Sequence, residues 1–300
     1  MLKIRRVDVI IVCFNSDLQL LQGCIASVVD SYAASEMQGN VILVDNASVL
    51  PVSEVMDCSG LVVFRMDENV GFGRAVNYGV SMSDADFVLM LNPDAAIKPN
   101  GLRLLVDASE SVGRGIIGGW LQKDGRVQSD AYMQWDFSVA RMLNRRRFSD
   151  RLAEMQSDLI PVDKVCGGAL FARKSILHEL GPFDPRFFLY GEDADLSRRA
   201  ARKSISLFVA RRVEVEHIAA SSQKEYGTLV ERARADAAIR ITSYHRGRLV
   251  SLLQRIELAT ITLVGAVAGG ASSSNRRARL ARLGQIWRWG LRAETPAYRP

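Results

Sequence analysis

Four short apolar runs occupy residues 1–120: "VDVIIVCF" from Val7, "VILVDN" from Val41, "LVVFRM" from Leu61 and "FVLMLN" from Phe87. Each is continuous rather than alternating, the pattern of strands buried on both faces of a parallel sheet. Between them, "DLQLLQGCIASVVDSY" and "FGRAVNYGVSMS" have helical spacing, a weaker segment follows Pro51, and Asp17 and Asp84 fall where caps or turns belong. This βαβαβ rhythm predicts an α/β sheet with right-handed crossovers and ligands at the C-terminal ends of its strands. All four runs end in polar residues: Asn15-Ser16, Asp45-Asn46, Asp67-Glu68-Asn69 and Asn92-Pro93-Asp94. Turn chemistry explains each alone; four on one sheet edge point to a polar ligand.

Beyond residue 120 the pattern changes. "LQKDGRVQ" carries an Asp-Gly hairpin signal. Residues 131–160 read as irregular, with "RMLNRRRFSDRLAEM" a mobile basic excursion. "VDKVCGGALFAR" reads as a strand with a Gly pair, followed by a helix from Lys174, the turn "GPFDPRF" and the segment "FFLYGEDADLSRRA". "SISLFVA" and "VEVEHIAA" read as strands, and residues 225–290 as mostly helical. The expected organisation is an α/β unit over residues 1–222, with halves 1–120 and 121–222, and a helical extension over 223–300.

The 300 residues, 48% apolar and 24% charged, suffice for a sizeable core without covalent staples. The four cysteines, Cys13, Cys24, Cys58 and Cys166, show neither CxxC nor zinc-type spacing, which fits a reduced, cytoplasmic setting. Cys13 and Cys166 lie in apolar runs as small hydrophobes. The basic-then-apolar N-terminus imitates a signal peptide, but its apolar run is short and ends in Asn-Ser-Asp, so it reads as a first strand. The net charge of +6 is uneven: "SNRRARLARLGQIWRWGLR", from Ser274, is Arg-rich and has no acid before Glu294. With Trp287 and Trp289 it suits nucleic acid, an anionic membrane surface, or a solvated helix. Leu258 to Asn275 is uncharged, but its apolar part is shorter than the roughly 20 residues that span a bilayer.

Several residues could carry chemistry. Asp94, just past a buried strand and two positions from Asn92, is placed either for a turn or to hold a hard cation such as Mg²⁺ or Mn²⁺. In "NVGFGRAVNYG", Gly71 and Gly73 permit close backbone approach and Arg74 can pair with phosphate. The pattern follows the third strand, where a dinucleotide site would follow the first. His217 ends a strand, where a His is usually structural; as a metal ligand its partner would have to be Asp94. Glu192 and Asp193 open a helix behind an aromatic run and Gly191. The helix N-terminus favours an ionised Asp193, which could accept a proton from a hydroxyl; Asp195 reads as a capping residue.

Taken in order, "VIIVCFNS", "VDNAS", "NVGFGRAVN", "LNPDA", "CGGALFARKS", "GPFDPRFFLYGEDADL" and "EHIAA" resemble the family 2 glycosyltransferases of GT-A fold, from Val9 to about Ser222. Within that family the chain is most similar to the bacterial rhamnosyltransferase-like branch. The resemblance implies a Rossmann-like mixed sheet flanked by helices. It also implies a nucleotide-sugar donor, dTDP-rhamnose foremost, and a glycan or lipid-linked saccharide acceptor of the cell envelope; one base, Asp193, without a protein nucleophile or a second paired carboxylate then predicts a single displacement with inversion at the anomeric carbon.

Carried over residue by residue, it gives base and ribose to Cys13, Phe14, Asn15 and Asp45, and the nucleotide side of the donor to Asn69, Gly71, Gly73 and Arg74. Asn92 and Asp94 take the DxD position, Asp94 and His217 the divalent metal, and Asp193 the catalytic base. Gly191, Glu192 and the preceding aromatics would shape the acceptor pocket. Asn92 departs from the pattern, leaving one carboxylate where the family has two. The implied partners are donor, acceptor and an anionic membrane surface met by the basic C-terminal helix, with no nucleic acid. The implied location is the cytoplasmic face of the inner membrane. A sugar nucleotidyltransferase would want a Gly-rich basic loop after the first strand, which "CFNSDLQLL" is not, and a non-catalytic carbohydrate-binding relative would not need Asp94, Asp193 and His217 together.

Overall fold

Each of the four apolar runs forms a strand in the computed structural model, which describes residues 5–217, 227–268 and 273–299. The strands are β1 (Val7–Cys13), β2 (Val41–Asp45), β3 (Val62–Arg65) and β4 (Phe87–Leu91), joined through α1 (Leu18–Ser35), α2 (Val52–Val55) and α3 (Phe72–Met82). They pair in parallel in the order β3-β2-β1-β4. Asp17 caps α1, its carboxylate accepting from the Gln19 and Leu20 amides at 2.9 and 3.1 Å. The strand order reverses at β1, which opens a crevice at the carboxyl ends of β1 and β4.

The second half interleaves with the first. Along the chain it contains β5 (Ala95–Ile97), α4 (Gly101–Val112), β6 (Gly115–Lys123), β7 (Arg126–Val127), α5 (Ser138–Glu154), β8 (Leu159–Pro161), β9 (Ala169–Arg173), α6 (Lys174–Leu180), α7 (Glu192–Arg202) and β10 (Ser206–His217). Antiparallel β9 bridges β4 and β6, completing the path β3-β2-β1-β4-β9-β6-β10-β5 in a ten-stranded sheet. Alternate residues of β1 serve opposite layers. Val9, Ile11 and Cys13 join an apolar layer with Leu21, Val28 and Leu105 of α1 and α4. Ile10 and Val12 join one with Val76, Leu177 and Leu196 of α3, α6 and α7. Both sheet faces are thus covered, which is why these strands are apolar throughout.

Some expectations change. The Asp-Gly hairpin is present, with Asp124 and Gly125 at φ 50° and 71°. The basic excursion is instead the helix α5; only Leu152 of it is buried, so the segment lacks the apolar stripe that announces a helix. β3 is an edge strand with partly exposed residues. "SISLFVA" and "VEVEHIAA" form one strand, β10, with a register shift between Ala210 and Glu214; Ile218 onward lies outside the described residues. Cys166 sits in the loop before β9 rather than in a strand, because the Gly pair breaks the run.

The C-terminal helices are α8 (Gly227–Arg246), α9 (Arg248–Ala268) and α10 (Ser273–Trp289). Asp236 on α8 accepts from Gln285 Nε2 at 2.7 Å and Trp289 Nε1 at 2.9 Å on α10, and is paired with the fully buried Arg240. Trp289 is therefore interior while Trp287 is 87% exposed. Residues Arg248–Ala266 of α9 are long and apolar enough, by length and composition, to cross a membrane. That stretch starts ahead of the uncharged run; Arg248 at its start is exposed, while Arg255 and Glu257 are engaged by neighbours. Arg255 donates to the Gly290 and Arg292 carbonyls at 2.6 and 2.8 Å. Glu257 accepts from the Ser138 and Val139 amides at 2.9 and 2.8 Å, capping α5.

Candidate active site

The ends of β1 and β2 are tied into one loop cluster. Asp45 accepts from the Ser48 and Val52 amides at 2.9 and 3.1 Å and from Arg65 at 2.5 Å. Burial works to raise its carboxyl, but those donors outweigh it and hold Asp45 below the usual carboxylate range. Asn15, at φ 48°, donates its backbone amide to Ser48 Oγ, and its Oδ1 accepts from the Val49 amide. Phe14 lies between it and Cys13, whose thiol is buried against the Val44 carbonyl. Burial, with Asp45 second, pushes that thiol up to about 12 and leaves it no nucleophile.

The loop after β3 is fixed by amides. Asn46 Nδ2 donates to Asn69 Oδ1 at 2.9 Å, Asn69 Oδ1 also accepts from the Gly71 amide at 3.0 Å, and Asn46 Oδ1 accepts from the Val70 amide. Asn77 on α3 makes a two-way bridge to the Phe183 backbone, at 2.7 and 2.9 Å. Arg74 Nε donates to the Pro185 carbonyl at 2.9 Å, so this guanidinium supports the loop before α7. A β-carbon on Gly73 would lie 3.1 Å from Phe183 and 3.5 Å from Glu192.

The Asn-Pro-Asp segment after β4 is indeed a turn, closed by the Ala95 amide on the Asn92 carbonyl. Antiparallel pairing of β5 with β10 sets His217 opposite Ala95 and so beside Asp94, with Nε2 and Oδ1 3.3 Å apart. Gln128 fixes the imidazole. Its Nε2 donates to the His217 carbonyl at 2.7 Å, which turns its Oε1 toward Nδ1 at 3.0 Å. In the neutral ring Nδ1 therefore carries the hydrogen and Nε2 the lone pair. Asn92 Nδ2 donates to that lone pair at 3.0 Å, and the Asp94 carboxylate faces it as a second acceptor. Two acceptors in contact, one backed by an outer hydrogen bond, could hold a divalent cation between them, and with a proton on Nε2 the same contact is an ion pair. Among the described residues no cluster of three His, Cys, Asp or Glu side chains forms a metal site, so protein would supply only Asp94 and His217.

The loop before α7 is strained. Tyr190 and Gly191 are both left-handed, at φ 67° and 88°, and a β-carbon on Gly191 would meet Ala237 of α8 at 2.9 Å. Gly191 is the N-cap, which puts Glu192 inside the first turn of α7. Glu192 is buried, its Oε2 has no partner, and burial, followed by the neighbouring Asp193, raises its carboxyl to about 8. Asp193 pairs with Lys164 at 3.8 Å and accepts from the Ala194 amide at 2.7 Å. Lys164 holds its charge: burial lowers it, but Asp193 and its other neighbours more than offset this. Asp195 points elsewhere, pairing with Arg199 at 2.7 Å and His245 of α8 at 2.8 Å.

One open groove of about 1520 Å³ is lined by Asn92, Lys164, Gly191, Glu192 and Asp193 and by Arg141 and Arg145 of α5. It joins the end of β4 to the start of α7. Sequence reading missed Gln128, Lys164 and Asn77. Lys164 had a signal, a lone cation in the apolar stretch "VDKVCGG"; Gln128 had none.

Comparison with known proteins shows the family and the fold. An N-acetylglucosaminyl-diphospho-decaprenol L-rhamnosyltransferase of Mycobacterium tuberculosis is 26% identical over 74% of this chain and 77% of its own. An N-acetylglucosaminyltransferase of Sinorhizobium fredii is 27% identical over 64% of this chain and 47% of its own. Among solved structures, GalNAc-T7 with UDP, GalNAc and Mn²⁺ superposes with a TM-score of 0.63 at 14% identity, over 96% of this chain and 57% of that one, and shows a shared GT-A fold. The family model described as glycosyl transferase family 2 matches residues 8–181, a span that stops short of Asp193 and His217. That span exceeds half of the 300 residues, and the protein belongs to glycosyl transferase family 2 and is a glycosyltransferase.

Proposed function

We propose that this glycosyltransferase inverts configuration, taking a sugar from a nucleotide diphosphate, dTDP-rhamnose by preference, to a hydroxyl of a cell-envelope glycan or lipid-linked saccharide. The observation that carries the reading is that one groove joins Asn92, beside the Asp94–His217 pair, to Asp193 at the start of α7. Residues 1–222 form the catalytic domain on this reading, with a nucleotide-sugar half (1–120) and an acceptor half (121–222). Cys13, Phe14, Asn15 and Asp45 contribute the surface under base and ribose, and Asn69, Gly71, Gly73 and Arg74 the loop beside it.

Asp94 and His217 would hold Mg²⁺ or Mn²⁺, which bound there neutralises the charge of the leaving diphosphate. Asn92 adds an amide where a second carboxylate would strengthen the cation's hold. Asp193 accepts the proton of the acceptor hydroxyl as its oxygen bonds to the anomeric carbon and the bond to the diphosphate breaks. Lys164 steadies the carboxylate, and Glu192, neutral at pH 7, adds no second negative charge beside it. Binding of donor and loss of transfer are separable, so the test is a panel of nucleotide sugars with Mn²⁺. Thermal stabilisation and hydrolysis are expected with dTDP-rhamnose and are lost with EDTA and in Asp94→Ala; UDP-sugars alone responding would discard rhamnose.

The partner surface is an anionic membrane on the cytoplasmic side, met by residues 223–300. α9 presents Leu249, Leu253 and Ile256 on one exposed stripe, while α10 adds Trp287 and arginines such as Arg276 and Arg288. Apolar insertion plus attraction of cations to anionic headgroups is the physics of an interfacial helix.

A further inference from the structure

The tail after α10 packs onto the loop that leads to Asp193. Tyr298 is buried, its ring edge-on to Phe188 with centroids 6.0 Å apart. Glu294 accepts from Arg186 at 2.8 Å and from the Tyr244 hydroxyl at 3.2 Å. The Thr295 and Pro296 carbonyls accept from the buried Arg240 at 3.1 and 3.2 Å. The tail is thus anchored on α8 and presents one aromatic ring to the loop.

Phe188 in turn meets the donor side. Its carbonyl accepts from the Phe72 amide at 2.9 Å, and a β-carbon on Gly71 would lie 2.3 Å from that oxygen. Tyr298, Phe188 and the Gly71-Phe72 backbone form one line of contact from tail to donor loop. The left-handed Tyr190 and Gly191 follow two residues after Phe188, so this strained turn needs its neighbours to hold it.

We propose that Tyr298 is a positioning residue for glycosyl transfer, clamping Phe188 so that the loop before Asp193 keeps its register against the donor loop. The proposal rests on the reading of Asp193 as the base. A loop displaced by about 1 Å can cost roughly a hundredfold in rate, and a ring edge packed on a ring is a geometric constraint that a smaller side chain does not reproduce.

The test compares Tyr298→Ala, Tyr298→Leu and Tyr298→Phe in the full chain by hydrogen–deuterium exchange and by turnover of the donor that the nucleotide-sugar panel identifies. Tyr298→Ala should speed exchange about tenfold in peptides covering residues 68–73 and 183–191, leaving those of β1 and β4 unchanged. Its kcat should fall roughly ten- to a hundredfold. Tyr298→Phe should match the parent in both. Unchanged exchange in the two loops, exchange raised equally throughout, or an unchanged kcat overturns the proposal. Should the Ala variant not fold, Tyr298→Leu, which keeps the bulk without the ring, carries the same expectations. The exchange arm needs no substrate, so it stands even if Asp193→Asn shows that Asp193 is not the base.

Discussion

Gly71 has no room for a side chain because the Phe188 carbonyl oxygen stands where its β-carbon would go, 2.3 Å away. Its φ of 88° with ψ of 160° is also a conformation essentially reserved for glycine. Gly71→Ala should therefore destabilise the protein by at least about 1–3 kcal/mol from the backbone alone, and by more because the obstacle is main chain. Urea unfolding of the two proteins measures this; a change within error would show that the two loops separate freely.

Asp193→Asn keeps the shape of the side chain and removes its capacity to take a proton. Transfer should fall by roughly 10²–10⁴ in kcat, with donor affinity by calorimetry within a factor of about two. Wild-type turnover in the variant would refute the base assignment.

The Asp94–His217 pair sets a second expectation. His217→Ala and Asp94→Ala should each abolish the additional thermal stabilisation that Mn²⁺ gives a bound nucleoside diphosphate, measured against each variant's own metal-free melting temperature. Asn92→Asp, which restores a second carboxylate, should shift half-saturation by Mn²⁺ to lower concentration.

Glu192 gives a pH-dependent signature. Its folded-state value is raised from 4.5 to about 8, so between those values the folded protein holds a proton that the unfolded chain has released. Stability from this group is therefore full below about pH 4.5 and is lost as the pH rises toward 8. Glu192→Gln, which cannot ionise, should raise the melting temperature at pH 8.5 by more than at pH 5. Equal effects at both would mean that Glu192 is ionised at neutrality.

The exposed stripe on α9 predicts membrane behaviour. Leu253 is 51% and Ile256 65% exposed, so Leu253→Glu with Ile256→Glu should leave the fold intact and prevent flotation with vesicles containing phosphatidylglycerol. Flotation unchanged by the pair would move the contact away from α9.

The parallel strands and their helices were legible because buried parallel strands are apolar throughout: α3 spans Phe72–Met82, within the run read as helical. Asp94 and His217 could be read as partners because one follows a strand and the other ends one, and β5–β10 pairing then joins them. What was illegible lacked a local signal. α5 exposes nearly all its residues and takes its N-cap from Glu257, more than a hundred positions away. The seating of Tyr298 on Phe188 is equally remote in sequence, and so is the insertion of β9 between β4 and β6. Such contacts follow from tertiary closure, which no window of neighbouring residues encodes.

The buried Asp236–Arg240 pair has a consequence for biogenesis. Apart from Tyr244 on the same helix, its partners are Gln285, Trp289, Thr295 and Pro296, all translated some fifty residues later. Until they emerge from the ribosome, α8 carries an ion pair whose polar atoms are only partly satisfied, and that exposes the helix to solvent or to a chaperone. The parallel strands β1–β4, whose neighbours are close in sequence, can assemble well before then. The C-terminal helices therefore reach their packed state late in synthesis, after strands β1–β4 have been made.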